Sequence, residues 1–423
     1  MQNDALSSTR VLPTSRQIEF QDWELGLFVH FGIRTFHEGH SDFDGQPMSP
    51  AEFNPTGLDC NQWCETAKKA GFKYLVFTAK HHDGFCNWPS AYTDFSVASS
   101  PWKNGEGDVV RELAEACARH DIKLGLYYSP ADWKSPIYDD PKAYDDYFVN
   151  QLSEILTNYG QIHMLWLDGC GSENHDYDWA RIDAEVRRLQ PEILIFNMGN
   201  PDYRWVGNEI GLAPQPLWNV TSELLGSILS TNADILSQPQ WLPAECDCRM
   251  RDANWFYSDK DSHTVKSLSE LMGIYYYSVG RGANLLLNIG PDRNGLLPEP
   301  DAGRLLEFGA EIKRRLGHPI AGLEAFKAEN NVWVYESETP FFLDHLIVQE
   351  NLSKGERVRR YSVEILPDHY GTAIPLWEAQ SIGHKAICSF PPVRARAVHF
   401  RVHESEGAPK IAALEVHLSA ETA

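Results

Sequence analysis

Polar and titratable side chains follow four apolar segments of the chain, each at the point where the segment ends. They are His30 after LFV, His81 and His82 after VFTAK, Tyr127 and Tyr128 after LGL, and Asp168 after MLWL. The carboxyl ends of parallel strands meet at one rim of an α/β barrel, where function lies. Any one of these residues could be a helix cap or a hydrogen-bonded rim histidine. The four positions together predict a functional site.

Asp168 is the residue best placed for covalent chemistry. Gly169 follows it and lets the backbone turn away, which leaves the carboxylate open. Trp166 lies two residues earlier and therefore on the same face of a strand. A carboxylate beside an indole at a barrel rim suits a nucleophile that attacks a sugar carbon. The alternative is that Asp168 caps the segment that follows.

A second carboxyl group is needed as general acid and base. The candidates are Glu209 in RWVGNE, Glu245 in PAECD, and Glu38 or Asp42 after the first apolar segment. Spacing alone does not choose among them.

The sequence contains no metal or cofactor motif with usable spacing. His81 and His82 are adjacent, and on an extended backbone they point to opposite faces, so they chelate one ion poorly. The segment 280–282, Gly-Arg-Gly, lacks the third glycine of a dinucleotide fingerprint and precedes a strand. We therefore expect no metal and no cofactor, and we expect the histidines to bind substrate hydroxyls.

The composition of the chain indicates which binding partners and which cellular location to expect. The 423 residues carry 59 acidic and 37 basic side chains, and the formal charge of −22 argues against nucleic acid as a partner. No run of about 18 apolar residues predicts a membrane span. The first 20 residues do not resemble a signal peptide, so a cytoplasmic location is expected unless a signal has been removed. The eight cysteines are expected to be buried free thiols. The oligomeric state stays open.

The elements that would position the site alternate between apolar runs and helical patterns. Near-continuous apolar runs are typical of parallel strands buried on both faces; they are Leu25–Phe31, Lys73–Thr78, Lys123–Tyr128, His163–Leu167, Ile193–Phe196 and Ala283–Ile289. The helical patterns between them are Asp108–His120, Ala143–Tyr159, Trp179–Leu189, Ser267–Ser278 and Asp301–Leu316. Two more strands are expected between Trp218 and Glu245. This order predicts a (β/α)8-like TIM barrel whose later helices could be irregular.

The character of the chain changes around Gly317–Gly322, where helical periodicity stops. Short alternating runs separated by turn residues follow, which is typical of an antiparallel β-sandwich. We therefore predict two domains, a catalytic barrel over residues 1–320 and a β-sandwich over residues 321–423.

Several long motifs resemble one family, glycoside hydrolase family 29, the retaining α-L-fucosidases. They include LFVHFG, TAKHHDGF, NWPSAYTDFSV, KLGLYYSP, LWLDG, PDYRWVGNE, LPAECD and YYYSVGRGANLLLNIGPDRNG. The resemblance extends over nearly the whole chain. It implies a (β/α)8-like barrel, a C-terminal β-sandwich and release of terminal L-fucose from fucosylated glycans with retention.

The resemblance also implies roles for individual residues. Asp168 of LWLDG matches the nucleophile, and Glu209 of RWVGNE matches the acid/base in the branch that prefers α-1,3 and α-1,4 linkages. Residues expected to bind substrate or shape the pocket are His30, His81, His82, Tyr127, Trp166, Arg204 and Glu245.

Two departures from the family pattern bear on specificity. The segment Glu38–Asp44 lacks a Glu-Trp pair that family members often carry there, and Cys248 follows PAECD where relatives have an apolar residue or serine. The alternatives are a fucosidase of different linkage preference, such as α-1,2, or a fucose-binding or weakly active protein on the same scaffold.

Overall fold

Strands of the first three quarters of the chain form a parallel barrel. The computed structural model describes residues 11–37, 47–172, 175–228 and 233–419. The strands are β1 (Leu25–Val29), β2 (Tyr74–Lys80), β3 (Lys123–Tyr128), β4 (Met164–Trp166), β5 (Leu194–Phe196), β6 (Arg204–Trp205), β7 (Val220–Leu224), β8 (Asp234–Trp241), β9 (Ala244–Arg249) and β10 (Asn284–Asn288). Eight of them form one parallel sheet in the order β5-β4-β3-β2-β1-β10-β9-β6. A parallel bridge from Phe196 to Tyr203 joins its two edges, so the barrel is nearly closed.

The helices lie mostly between consecutive barrel strands. They are α1 (Ser15–Trp23), α2 (Cys60–Lys69), α3 (Val109–His120), α4 (Pro141–Thr157), α5 (Trp179–Leu189), α6 (Leu268–Tyr277) and α7 (Glu299–Leu316). The five predicted helices correspond to α3–α7, and the Asp108 side chain caps α3 by accepting the Arg111 amide. Among the described residues, no α-helix separates β5, β6 and β9, which confirms the expected irregularity in the later part of the barrel.

The region between Trp218 and Glu245 corrects one prediction. β7 and β8 pair with each other as an antiparallel hairpin outside the barrel sheet. The two barrel strands that were not recognised are β6, which has only two residues, and β9, which begins at Ala244. β9 lacks an apolar run because acidic residues and cysteines alternate in its sequence AECDCR.

An aromatic cluster fills the barrel interior and sets the register of the rim. It consists of Phe20, Trp23, Phe28, Tyr74, Val76, Tyr127, Met164, Trp166, Leu194, Phe196, Tyr203, Trp205 and Leu286. Phe20 and Trp23 belong to α1 and contact the amino-terminal end of β2 through Tyr74. Because side chains alternate along a strand, residues two positions beyond an inward side chain also face inward. His30 after Phe28 and Asp168 after Trp166 therefore come to the carboxyl rim.

A separate antiparallel domain follows the barrel. Its strands are β11 (Lys327–Glu329), β12 (Val332–Glu350), β13 (Val358–Leu366), β14 (Ile374–Ala379), β15 (Ala386–Ser405) and β16 (Ile411–His417). They pair in the order β11-β12-β15-β13-β14, with β16 on β12, around an apolar core of their own. The predicted antiparallel β-domain is confirmed, and the boundary at residue 320 stays a prediction.

Two further features of the chain concern its cysteines and its helices. All eight cysteines are buried and free. Within the described ranges, no helix is both long enough and apolar enough to cross a lipid bilayer.

Candidate active site

A cavity of about 180 Å³ opens at the carboxyl rim of the barrel. Seven of the nine predicted site residues line it, namely His30, His81, His82, Tyr127, Trp166, Asp168 and Glu209. Arg204 and Glu245 are not among the described residues that line the cavity. The candidates Glu38 and Asp42, with the whole segment Glu38–Asp44, lie outside the described residues.

Asp168 is held by donors on both of its carboxylate oxygens. Oδ2 accepts the Tyr127 hydroxyl at 2.9 Å and lies 3.5 Å from His82 Nε2. Oδ1 accepts the Cys170 amide at 2.9 Å. About a quarter of the side chain, 24%, is exposed, and that part faces the cavity.

The electrostatics of Asp168 favour its ionised form. Burial alone raises the pKa of this carboxyl. The hydrogen bond and charge of His82, followed by the bonds from the Cys170 amide and Tyr127, outweigh burial, so the pKa lies below its usual 3.8. An ionised carboxylate at neutral pH is the state that a nucleophile needs.

The two adjacent histidines line the same cavity, which corrects the expectation that they face opposite ways. β2 ends at Lys80, and residues 82–83 form a turn, so the alternation of an extended strand no longer applies. The His81 and His82 rings lie 4.4 Å apart between centroids, and His81 stacks on Tyr127 at 5.4 Å. Burial lowers the pKa of His81, so its imidazole is neutral.

Two buried ion pairs hold this histidine turn. Arg34 Nε lies 3.0 Å from Asp83 Oδ2, and Lys80 Nζ lies 3.1 Å from Asp132 Oδ2. Gly84 has a φ of +82°, and a Cβ there would come within 2.3 Å of Asp132 Oδ1. The KHHDG sequence thus combines two charges and an obligatory glycine that fix the position of both imidazoles.

His30 is oriented by β10. Its Nδ1 lies 2.7 Å from Asn288 Oδ1, and Asn288 Nδ2 donates to the Trp255 carbonyl at 2.8 Å. Because the amide oxygen can only accept, Nδ1 carries the proton and Nε2 is an acceptor. Burial lowers the pKa of His30 to about 3, so the ring is neutral and can accept a hydrogen bond from a hydroxyl.

Glu245 lies beneath the cavity and supports Trp166. Its Oε1 accepts the Trp166 indole N–H at 2.9 Å, and its Oε2 accepts the Tyr74 hydroxyl at 2.7 Å. Trp166 is stacked between Tyr127 and Phe196, at centroid distances of 5.3 and 4.0 Å. Burial raises the pKa of Glu245 to about 7, with the two hydrogen bonds acting in the opposite direction.

Arg204 lies on the outer side of its strand. Trp205, its neighbour in β6, faces the cavity, so alternation turns Arg204 away. Its Nη2 donates to the Trp218 carbonyl at 3.0 Å, and burial lowers the pKa of the guanidinium. The structure therefore places Arg204 against the segment that leads into β7.

Glu209 enters the cavity from the loop after β6. Its Oε2 lies 4.0 Å from Arg249 Nη1, and about a quarter of its side chain, 24%, is exposed. Asp247 also lines the cavity and accepts the Trp205 indole N–H at 2.6 Å. Burial, followed by the Glu209 charge, raises the pKa of Asp247 well above its usual value.

The cavity residues that sequence reasoning did not single out include Cys170, Asp247, Arg249 and Trp255. Alternation along AECDCR could have revealed Asp247 and Arg249, since they share a strand face with Glu245. Trp255 and Cys170 lie in irregular segments, which carry no periodic signal.

The β7–β8 hairpin packs directly against the backbone beside Asp168. A Cβ at Gly169 would come within 2.5 Å of the Gly226 carbonyl oxygen. Asn197 Nδ2 donates to the Leu225 carbonyl at 2.7 Å, which fixes the same stretch from the other side. Gly226, Ser227 and Ile228 consequently form one wall of the cavity.

The cavity combines two carboxyl groups, neutral imidazoles and aromatic faces at a barrel rim. The lowered pKa of Asp168 favours its ionised form, and Glu209 is a second carboxyl group in the same cavity. Paired carboxyl groups flanking a sugar-sized cavity are the catalytic apparatus of glycoside hydrolases, and the fold and site define that class.

Comparison with known proteins identifies the family. The sequence profile described as Alpha-L-fucosidase matches residues 39–315. Alpha-L-fucosidase 1 of Arabidopsis thaliana is 38% identical over 351 residues, covering 81% of this chain and 68% of the relative. The chain belongs to the α-L-fucosidase family, glycoside hydrolase family 29.

Solved structures agree with this assignment. A glycoside hydrolase 29 family member from an unknown rumen bacterium is 37% identical with a TM-score of 0.88, covering 98% of this chain and 78% of that one. A Ruminococcus gnavus GH29 fucosidase in complex with fucose is 29% identical with a TM-score of 0.84, covering 97% and 95%.

Proposed function

We propose that the protein releases terminal α-L-fucose from glycans by a retaining, double-displacement mechanism. Asp168 is the nucleophile and Glu209 is the general acid and base. The observation that carries this proposal is an ionised Asp168, held by three donors, in the same cavity as Glu209. The family of the chain supports the choice of sugar.

In the first step, an oxygen of Asp168 forms a bond to the anomeric carbon of fucose as the bond to the glycosidic oxygen breaks. Glu209 gives its proton to that leaving oxygen. In the second step, Glu209 takes a proton from water, the water oxygen attacks the same carbon, and Asp168 is released. Two inversions at one carbon give net retention.

Recognition of fucose rests on acceptors and aromatic surface. His30 presents Nε2 because Asn288 fixes the proton on Nδ1, and such an acceptor suits a sugar hydroxyl. Phe28, Trp166 and Trp255 supply apolar surface for the 6-methyl group of a deoxy sugar. The cavity volume of about 180 Å³ suits one terminal sugar, which favours exo action.

The finer proposal is a preference for α-1,3 and α-1,4 linkages on branched glycans. Its support is Glu209 within RWVGNE, which resembles the branch with that preference, and the position of Glu209 in the cavity. Comparing a Lewis-type trisaccharide with an α-1,2-fucosylated one tests this. Faster cleavage of the α-1,2 substrate would contradict it.

A pair of variants tests the role of Glu209. An acid matters in proportion to the basicity of the leaving group. Glu209→Ala should therefore nearly abolish cleavage of natural glycans and spare formation of the fucosyl-enzyme from an activated aryl fucoside. Azide should then accelerate breakdown and give a fucosyl azide of retained configuration.

Glu245→Gln is the matched control, since the amide oxygen that it introduces can still accept a hydrogen bond from Trp166 or Tyr74. This variant should show no azide rescue. If azide rescued a Glu245 variant and not Glu209→Ala, the two roles would have to be exchanged. If the wild-type protein hydrolysed none of the fucosides, the fucose-binding alternative would be favoured.

We also propose a cytoplasmic location. All eight cysteines are buried free thiols, as expected in a reducing compartment. Fractionation of the source cells with detection of the protein tests this, and recovery from the secreted fraction would contradict it.

A further inference from the structure

Three potential metal ligands meet beside the nucleophile. Donor atoms of His82, Asp168 and Cys170 all lie within 4.8 Å of one another. All three residues line the cavity, so a small ion can reach them from solvent. An imidazole nitrogen, a carboxylate oxygen and a thiolate sulfur form a donor set typical of zinc.

The hydrogen bonding of His82 leaves the correct nitrogen for a metal. Ser129 Oγ donates to the Ala131 carbonyl at 2.7 Å, so its oxygen accepts from His82 Nδ1 at 2.5 Å. Nδ1 therefore carries a proton, and Nε2, which donates to Asp168, is the nitrogen that an ion can bind once its proton is displaced. Metal-binding histidines are usually fixed in this way, with the second ring nitrogen donating to an outer partner.

Asp168 and Cys170 are also set by the local backbone. The Cys170 amide donates to Asp168 Oδ1, which ties the two residues into one compact turn. Tyr127 donates to Oδ2, and a carboxylate oxygen with two lone pairs can accept this bond and bind a cation. Tetrahedral zinc ligands lie about 3.3–3.8 Å apart, and side-chain movements of about 1 Å from the present positions would produce that spacing.

We propose that His82, Asp168 and Cys170 form an inhibitory site for Zn²⁺ and similar soft divalent ions. The Cys170 thiol and His82 Nε2 each lose a proton to solvent, and the thiolate, His82 Nε2 and an Asp168 oxygen bind the ion, with water as the fourth ligand. The ion occupies the nucleophile and excludes fucose. The inhibition, though not the binding, rests on the proposed role of Asp168.

The ion chemistry gives the proposal selectivity. Mg²⁺ and Ca²⁺ prefer all-oxygen ligands and should not bind here. Co²⁺ should bind with a spectrum typical of tetrahedral coordination and a thiolate-to-metal charge-transfer band. That band reports Cys170 directly and does not depend on enzyme activity.

Calorimetric titration of the full-length protein with Zn²⁺ tests the site. We expect one equivalent to bind, fucose to compete, and Cys170→Ser to weaken binding at least about 100-fold, because loss of an outer-sphere bond alone costs about 10–100-fold. Cys388→Ser is the matched control, since this buried thiol lies in the other domain. Its zinc affinity and cobalt spectrum should equal those of the wild type.

Activity assays separate the two parts of the proposal. Zn²⁺ should inhibit competitively, and a chelator should reverse the inhibition. Zn²⁺ should inhibit Cys170→Ser much less than the wild type when each rate is compared with the same protein's rate without metal. Equal zinc affinity in the wild type and Cys170→Ser, or no charge-transfer band, would overturn the site. Bound zinc without inhibition of an active enzyme would overturn the inhibitory role. Absence of metal-free activity would instead count against the proposed hydrolase.

Discussion

Two carboxyl groups next to Trp166 have opposite electrostatic environments. Asp168 follows this residue at the rim, and Glu245 accepts its indole N–H from within the barrel. The pKa of Asp168 lies below its usual value despite burial, whereas burial raises that of Glu245 to about 7. Burial acts in the same direction on both groups, so burial alone does not decide the protonation state.

The difference comes from the number and kind of donors. Asp168 is faced by an imidazole, a backbone amide and a hydroxyl, and one of these can carry charge. Glu245 receives only two neutral donors among the described residues, the Tyr74 hydroxyl and the Trp166 indole. The rim thus stabilises an ionised carboxylate, and the interior stabilises a neutral acid that holds an aromatic ring in place.

Replacing each carboxyl by its amide should give the largest contrast. Asp168→Asn should lower kcat about 1000-fold or more, which is about 4 kcal/mol of barrier. Glu245→Gln should stay within about tenfold of wild type, about 1.4 kcal/mol, since an amide oxygen can still accept one of its two hydrogen bonds. Steady-state kinetics on an aryl α-L-fucoside, with circular dichroism to check folding, measures both. Similar losses in the two variants would abolish the contrast.

Removing one hydroxyl donor from each carboxyl should have a smaller effect. Tyr127→Phe takes a hydrogen bond from charged Asp168, worth about 1.5–3 kcal/mol, so kcat/KM should fall about 10- to 100-fold. The acid limb of the pH profile should move to higher pH, because loss of a donor raises the pKa of the carboxyl.

Tyr74→Phe is the matched variant for Glu245. It removes the corresponding donor from the interior carboxyl and should leave the acid limb of activity in place. Equal movement of the acid limb in both variants would show that this limb does not report Asp168.

The pH dependence of the free energy of unfolding should also distinguish Glu245 from Asp168, and here the larger effect belongs to Glu245. A carboxyl whose pKa is raised on folding holds its proton more tightly in the folded protein. Its contribution to stability is therefore complete below pH 4.5 and is lost as pH rises towards about 7. As pH rises across this window, the free energy of unfolding of Glu245→Gln should increase by about 3 kcal/mol relative to that of the wild type.

Asp168→Asn should show no such gain between pH 4.5 and 7. The wild-type Asp168 carboxyl has a pKa below 3.8, so it stays ionised throughout this range. Buried neutral histidines such as His30 contribute a slope of the other sign, and it cancels between Glu245→Gln and wild type because Glu245 does not act on His30. Urea denaturation at a series of pH values measures these differences. A constant difference between Glu245→Gln and wild type would contradict the neutral interior acid.

Much of the barrel could be predicted from the sequence because six strands are continuous apolar runs. Asp108 and the helical patterns correctly located α3–α7. β6 and β9 could not be found in this way: the first is two residues long, and the second directs Glu245, Asp247 and Arg249 into the barrel. A buried strand is recognised in a sequence by its apolar residues. A catalytic barrel carries charged residues at some of these positions, so such a strand is missed.

The site was predictable wherever a residue follows an apolar strand. His30, Tyr127 and Asp168 come to the cavity by strand register alone. The joint placement of His81 and His82 depends on a turn held by ion pairs from Arg34 and Lys80, which local sequence cannot show. Arg204 was expected in the pocket from the resemblance, and the structure places it beside the pocket. Glu245 was expected to shape the pocket or orient a partner, and it accepts a hydrogen bond from Trp166.

Trapping the covalent intermediate tests the central claim, that Asp168 is the nucleophile of a retaining fucosidase. A 2-fluoro-fucosyl reagent with a good leaving group forms the fucosyl-enzyme and slows its hydrolysis. We predict a mass gain of one 2-fluorofucosyl group per chain, located on Asp168 by peptide mapping and absent in Asp168→Asn. Label on Glu209 or Glu245, or turnover of the substrate with inversion and no trapped species, would contradict the account.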